Sequence, residues 1–141
     1  MSPAKPLAIL LIEDSPSDVY LTTDAIENSG VDCRVDVVQG REQALSYVRG
    51  LNGNGQSDHD VVLFGLNPFK NESREILAEY RLQFQSTSVP LIVLGASQGE
   101  KEILKSSAIE ADGLLLKPIG ADDFRSFITE VSQRAKTSWK V

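Results

Sequence analysis

The stretch Ala8-Ile-Leu-Leu-Ile-Glu-Asp-Ser-Pro-Ser-Asp18 holds the end of one predicted element and the start of the next. Its first five residues are apolar, as in a central parallel strand covered on both faces. Ser15 then has the position of a helix N-cap, proline follows in the first turn, and Asp18 stands where a capping-box acid belongs. The stretch predicts a buried strand that ends at the acidic pair Glu13-Asp14 and leads directly into a helix.

The same alternation of a short apolar run and a helix-period segment occurs five times along the chain. Alternation of this kind is typical of an α/β fold, in which helices connect the strands of a parallel sheet and cover both of its faces. In the first helix, Val19, Thr22, Thr23 and Ile26 have the spacing of an inward face. The predicted strands are 8–12, 34–38, 61–64, 91–94 and 114–116, and the predicted helices are 16–28, 41–49, 74–84, 98–109 and 122–136.

Length and composition bound the class of protein. The chain has 141 residues, 41% of them hydrophobic and 24% charged, which predicts one globular domain. We place that domain at residues 8–136, with an N-terminal tail at 1–7 and a C-terminal tail at 137–141. The net charge of −6 argues against nucleic acid as a partner, because phosphate backbones are bound through clustered Lys and Arg.

Neither a membrane span nor an oxidising compartment is indicated. The early apolar run at 7–12 is far shorter than the roughly 20 residues that cross a bilayer, and no signal-peptide cleavage site follows it. Cys33 is the only cysteine, which is compatible with a reducing cytoplasm, and we interpret it as a half-buried strand residue.

Ligands of a doubly wound sheet bind where the carboxyl ends of the strands meet. That rule selects Glu13 and Asp14 after the first strand and Gly65 after the third. It also selects Gly95 after the fourth strand and Lys117-Pro118 after the fifth.

In order and spacing these motifs resemble the receiver domain of two-component response regulators, over nearly the whole chain from Ile9 to about Val131. Within that family the chain is most similar to the small single-domain regulators of the cyanobacterial phytochrome type. The resemblance implies a flavodoxin-like, doubly wound sheet with strand order 2-1-3-4-5. The motifs that carry it are Leu-Ile-Glu13-Asp14-Ser-Pro-Ser-Asp18, Asp60-Val-Val-Leu-Phe-Gly65-Leu-Asn67, Val89-Pro-Leu-Ile-Val-Leu-Gly95-Ala-Ser97 and Leu-Leu-Lys117-Pro118.

The resemblance also implies a role for each matching position. Glu13 and Asp14, with the backbone carbonyl of Asn67, map onto the family's Mg²⁺ ligands, and a hard cation would neutralise charge between a carboxylate and a phosphoryl group. Lys117, followed by Pro118, maps onto the lysine that binds a phosphoryl oxygen. The acceptor aspartate maps onto Gly65, the phosphoryl-sensing hydroxyl residue onto Gly95, and the aromatic switch onto Leu114.

Three working positions therefore lack their usual side chains, while the acids and the lysine remain. This pattern favours a non-enzymatic pseudo-receiver that binds protein partners without aspartyl phosphorylation. One alternative is a regulator phosphorylated on a substitute such as Ser97. Asp60 is excluded, because five residues of strand place it roughly 16 Å from Gly65. Another alternative is a flavodoxin-like cofactor binder or enzyme, although no glycine-rich loop follows the first strand.

With one carboxylate missing, we expect Lys117 to pair with Asp14 without any metal, so that Mg²⁺ is not required and binds weakly if at all. The expected partner is a sensor histidine kinase or a downstream signalling protein. The expected surface comprises the helix at 98–109, the fifth strand and the last helix, with Lys101, Lys105, Glu110 and Arg125 exposed.

Two aromatic side chains outside the motifs also receive an interpretation. His59, the only histidine, is interpreted as a solvated loop residue beside two aspartates. Trp139 in the tail either anchors a partner or a second subunit of a homodimer, or folds back on the last helix.

Overall fold

The computed structural model describes residues 6–50, 59–65, 71–84, 91–95, 113–117 and 119–135. Within them, strands and helices alternate as predicted; the helix predicted at 98–109 and the C-terminal tail lie outside the described residues. The strands are β1 (Leu7–Ile12), β2 (Cys33–Val38), β3 (Val61–Phe64), β4 (Leu91–Gly95) and β5 (Gly113–Leu116); the helices are α1 (Pro16–Asn28), α2 (Gly40–Gly50), α3 (Asn71–Phe84) and α4 (Ala121–Ala135).

The five strands form one parallel sheet in the order β2-β1-β3-β4-β5. This confirms the doubly wound fold and its strand order. The last residue of β1, Ile12, is in register with Val38 of β2 and with Phe64 of β3, and Gly95 of β4 is in register with Leu116 of β5. The carboxyl ends therefore meet at one edge of the sheet.

The core has two layers, one on each face of the sheet, because successive strand residues point in opposite directions. Leu10 and Ile12 of β1 pack on one face with Ala44 of α2 and Ile76 of α3. The β1 residues that alternate with them, among them Leu11, pack on the other face against α1 and α4. Every residue of β1 is buried, and each fully buried Leu or Ile contributes about 1.5–3 kcal/mol.

Helix α1 begins and ends as its sequence predicts. Ser15 is the N-cap, and its hydroxyl accepts the N–H of Asp18 at 3.4 Å. Thr22 and Ile26 are buried as predicted, whereas Thr23 is only partly buried and donates its hydroxyl to the carbonyl of Val19 at 2.8 Å. The helix stops before Gly30, whose φ of +83° is a conformation that favours glycine.

Several predicted boundaries differ from the structure. Leu7, assigned to the N-terminal tail, is the first residue of β1 and is buried. Helix α3 starts at Asn71 rather than at residue 74, because its first turn is polar and lacks the apolar spacing that revealed the rest. Cys33 is half-buried as predicted, and burial, with Asp32 adding to it, raises the pKa of its thiol to about 11. None of the described helices combines the length and apolar character needed to cross a membrane.

Candidate functional site

Backbone hydrogen bonds fix the carboxyl ends of the strands relative to each other. The N–H of Gly65 donates to the carbonyl of Ile12 at 2.7 Å, and the N–H of Glu13 donates to that of Val38 at 3.0 Å. The N–H of Lys117 donates to the carbonyl of Gly95 at 2.7 Å. The structure therefore brings four of the predicted site positions, Glu13, Gly65, Gly95 and Lys117, to one edge.

The ammonium of Lys117 lies at the centre of this edge and contacts three oxygen atoms. Its Nζ is 2.7 Å from Oε2 of Glu13, 3.1 Å from Oδ2 of Asp18 and 2.7 Å from the carbonyl oxygen of Gly65. The Lys117 side chain is 17% exposed and the Glu13 side chain 1%, so the pair is shielded from bulk water. Lys117, the first residue after β5, thus connects the ends of β1 and β3 with α1.

The predicted pairing of Lys117 with Asp14 is wrong. Asp14 is exposed, and Lys117 pairs with Glu13 and Asp18 instead. Glu13 follows the last β1 residue and turns into the sheet edge, whereas Asp14 already belongs to the turn. Asp18 does not complete the reciprocal capping box that its position suggested, because Ser15 donates its N–H to Oε1 of Glu13 at 3.3 Å.

Opposing influences set the protonation of the pair. Burial raises the pKa of Glu13, and Lys117 and the N–H groups of Ser15 and Asp14 counter this only in part. For Lys117, burial alone would lower the pKa, but the contacts with Glu13 and Asp18 outweigh it and leave the pKa raised. Oε1 of Glu13 is held by two N–H groups, whereas Oε2 lacks a well-directed hydrogen bond within the described part of the chain. The ion pair with Lys117 is what compensates Oε2 for the loss of water.

The space beside Gly65 is occupied by Glu13. A Cβ atom at position 65 would clash with Oε2 of Glu13, lie 2.9 Å from its Cδ and lie 3.2 Å from the carbonyl oxygen of Ile12. Gly95 differs, because no described heavy atom beyond its chain neighbours lies within 4 Å of the corresponding Cβ. The predicted acceptor position is therefore filled by a neighbouring carboxylate, whereas the predicted sensor position has no described atom crowding its Cβ.

The described residues do not fit a divalent cation. Mg²⁺ requires near-octahedral oxygen ligation, usually from one or two carboxylates together with waters. Here Oε2 of Glu13 is paired with an ammonium, its other oxygen is bound by backbone N–H groups, and Asp14 is exposed to solvent. No cluster of three or more metal-ligating side chains occurs among the residues that the structure describes.

Other predicted site residues are placed only in part or not at all. Leu114 lies in β5, but its side chain is outside the described set, as are Asn67, Ser97 and Pro118. Asp60 is described and lies at the opposite edge of the sheet, where its carboxylate accepts the N–H of Ala8 at 2.9 Å. This location agrees with its exclusion as a substitute acceptor.

The interpretation of His59 as a solvated residue is wrong. Its side chain is buried, with Nδ1 2.6 Å from the Tyr47 hydroxyl and Nε2 2.7 Å from Oδ2 of Asp36. The contacts join the start of β3 to α2 and β2, away from the Lys117 edge. The available signal was the position of His59 two residues before a buried strand, where a side chain can already lie under a neighbouring helix.

The strand order, the sheet edge and the site together define a class of protein. The sheet has the strand order of a receiver domain, and the homologues and structural neighbours of the chain include response regulators, the receiver proteins of two-component signalling. No family model matches the chain. It is 26% identical over 128 residues to the probable methanogenesis regulatory protein FilR2 of Methanothrix harundinacea, covering 91% of this chain and 83% of that protein.

A second regulatory protein and a solved response regulator are similar as well. The response regulator Rcp1 of Synechocystis is 26% identical over 113 residues, covering 79% of this chain and 77% of Rcp1. The solved bacteriophytochrome response regulator RtBRR has a TM-score of 0.76 and 28% identity, over 97% of this chain and 82% of that one. These similarities confirm the predicted resemblance to receiver domains, including those of the phytochrome type.

Proposed function

We propose that this receiver domain acts in a signalling pathway by binding a protein partner, without phosphorylation on an aspartate and without catalytic activity of its own. The single observation that carries this proposal is the pair Gly65 and Glu13. The residue at the acceptor position has no side chain, and the volume that a side chain would occupy contains the Glu13 carboxylate.

The chemistry of aspartyl phosphorylation supports the same conclusion. An acyl phosphate forms when a carboxylate oxygen attacks phosphorus in line, with positive charge available to stabilise the transferring group. Glu13 supplies a carboxylate at this edge, but its side chain is 1% exposed and Oε2 is paired with Lys117. Neither this oxygen nor the ammonium paired with it is available to an incoming phosphoryl donor.

The partner is expected to be a sensor histidine kinase or a downstream signalling protein. FilR2 is named a regulatory protein, and Rcp1 and RtBRR are named response regulators. Of the predicted interaction surface, Arg125 on α4 is exposed, as is Leu116 at the end of β5. Lys101, Lys105 and Glu110 lie outside the described residues. A cytoplasmic site of action and a homodimer are part of the same proposal.

Phosphotransfer can be tested directly. The purified protein is incubated with Mg²⁺ and acetyl phosphate, and its intact mass is measured before and after. The expected result is no added phosphoryl group. The positive control, treated in parallel, is the cyanobacterial phytochrome response regulator RcpA, which has been solved in phosphorylated form. Phosphoryl uptake on Ser97, on Glu13 or on any other residue would overturn the proposal, and peptide mapping would identify which.

A further inference from the structure

The contact between Glu13 and the empty side-chain position at 65 has a consequence beyond the loss of phosphotransfer. We propose that Gly65, Glu13 and Lys117 form an interlock, in which the missing side chain at 65 admits the Glu13 carboxylate and the Lys117 ammonium serves as its counter-ion in place of a divalent cation. The proposal rests on the proposed function only in that residue 65 is not a phosphoacceptor.

The position of Glu13 depends on the size of residue 65. A Cβ on residue 65 would clash with Oε2 of Glu13. The inward rotamer of Glu13 therefore requires a residue without a Cβ at position 65, which is glycine. The same oxygen is 2.7 Å from Nζ of Lys117. The identity of residue 65 therefore determines whether this ion pair can form in the observed geometry.

Moving Glu13 away would break several contacts at once. A carboxylate at the end of a flexible side chain can rotate out of a clash, but here rotation would separate it from Lys117 and from the N–H groups of Asp14 and Ser15. The other close atom, the carbonyl oxygen of Ile12, is part of the backbone and accepts the Gly65 N–H at 2.7 Å. A side chain at 65 thus either breaks the ion pair or strains the β1–β3 pairing.

The carboxylates of this edge are held by an internal cation. Glu13 and Asp18 contribute two carboxylates to the single ammonium of Lys117, which also binds the carbonyl of Gly65. A divalent cation would have to compete with a lysine that is already in contact with both acids. Mg²⁺ is therefore expected to leave both the stability of the protein and the Lys117 contacts unchanged.

A double-mutant cycle tests the interlock. The variants G65A, E13A and G65A/E13A are compared with the wild-type protein by their urea midpoints, in the presence and absence of Mg²⁺. We expect G65A to lower the urea midpoint of the wild-type protein. In the E13A background, the same substitution is expected to lower the midpoint by less than roughly half as much, because the effects of substitutions at contacting sites are not additive. Equal costs in the two backgrounds would overturn the proposal.

The chain supplies a matched control at the other glycine. G95A and G95A/E13A make the same chemical change at a neighbouring strand end where no described atom crowds the Cβ. These two substitutions are expected to be additive. Coupling of G95A to E13A as large as that of G65A would show a general effect of the sheet edge and contradict the interlock.

A second measurement uses the wild-type protein alone and does not depend on whether a variant folds. Nitrogen-15 NMR of lysine side chains, assigned with K117R, is expected to show a slowly exchanging Lys117 ammonium in Mg²⁺-free buffer, unchanged on adding Mg²⁺. A solvent-exchanging ammonium, or one that shifts on titration with Mg²⁺, would overturn the interlock. Phosphoryl uptake elsewhere in the chain would refute the proposed function but would not change the expected results of the double-mutant cycle or of the NMR measurement. Failure of the proposed function and failure of the interlock are therefore distinguishable.

Discussion

Gly65 and Gly95 lie at the carboxyl ends of adjacent strands of the same sheet, and both are buried. The sequence resemblance to receiver domains assigns both to positions where a working side chain is expected, the acceptor at 65 and the sensor at 95. Their surroundings differ, however, because a Cβ at 65 would meet the Glu13 carboxylate and the Ile12 carbonyl, whereas a Cβ at 95 would meet no described heavy atom within 4 Å.

Two missing side chains can therefore have different physical consequences. At position 95 no described atom occupies the place of the missing side chain. At position 65 the absence is coupled to a neighbour that occupies the space and pairs with Lys117. Among the described residues, only the missing side chain at 65 is thus linked to the ion pair of the sheet edge.

The largest expected effect comes from removing the cation that holds Glu13 in place. K117M leaves a buried carboxylate without its ion-pair partner, which is expected to lower the free energy of unfolding by about 3–5 kcal/mol at neutral pH. The loss should shrink on acidification, since protonated Glu13 no longer requires a cation. Urea unfolding at several pH values measures it.

The control for this variant is R125M, which removes an exposed cation from α4 and is expected to change stability by no more than about 0.5 kcal/mol. If K117M cost no more than R125M, the ion pair of Lys117 with Glu13 would have no energetic importance, and position 65 would no longer differ from position 95 in being linked to a stabilising ion pair.

A smaller effect is expected when the two glycines are given the same methyl group. G65A should destabilise by about 1–3 kcal/mol, as overpacking of a filled site does. G95A should be neutral or stabilise by up to about 1 kcal/mol, because glycine loses more backbone entropy on folding than alanine. Thermal or urea unfolding of both variants measures the difference, and similar values would show that the two positions are equally crowded.

The pH dependence of stability tests the burial of the Glu13 carboxylate. Since burial raises its folded-state pKa above the ordinary value of 4.5, the folded protein keeps a proton that the unfolded chain has already released. Compared with E13Q, the wild-type protein should be most stable below that ordinary value and lose stability as the pH rises through the folded-state pKa. The loss is about 1.4 kcal/mol for each unit of the shift. A difference between the two unfolding curves that is flat, or that rises with pH, contradicts this.

The smallest effect is expected from placing a hydroxyl at the open position. G95S should change the free energy of unfolding by no more than about 0.5 kcal/mol, because its Cβ meets no described neighbour within 4 Å. The matched variant G65S should show the cost of G65A. Circular-dichroism melts suffice, and a destabilised G95S would mean that the two positions are equally restricted.

The fold and the location of the site could be predicted from the sequence. Apolar runs such as 8–12 and 91–94 specify buried parallel strands, and the carboxyl ends of such strands necessarily share an edge. This rule alone places Glu13, Gly65, Gly95 and Lys117 together. Asp60 falls at the opposite edge, since distance along a strand is fixed by its rise per residue.

The partners of individual side chains could not be predicted in the same way. The apolar pattern ends where β1 ends, so it does not say whether Glu13 or Asp14 turns inward. Asp18 was interpreted through its local capping role, although its carboxylate contacts a lysine 99 residues away. His59 lies between two aspartates, so its local sequence resembles that of a loop. Its burial is accompanied by a contact with Tyr47, which the local sequence does not indicate.

The inward carboxylate at position 13 also bears on the evolutionary history of such a site. A glycine codon that ends in a pyrimidine becomes an aspartate codon by one base change, so for such a codon the supply of mutations does not prevent an aspartate at position 65. The obstacle is epistatic: an aspartate restored there arrives beside an acid that already occupies its volume, and the first step back lowers stability before it can restore signalling. In a receiver that carries glycine here beside an inward acid, selection for stable folding therefore disfavours the aspartate.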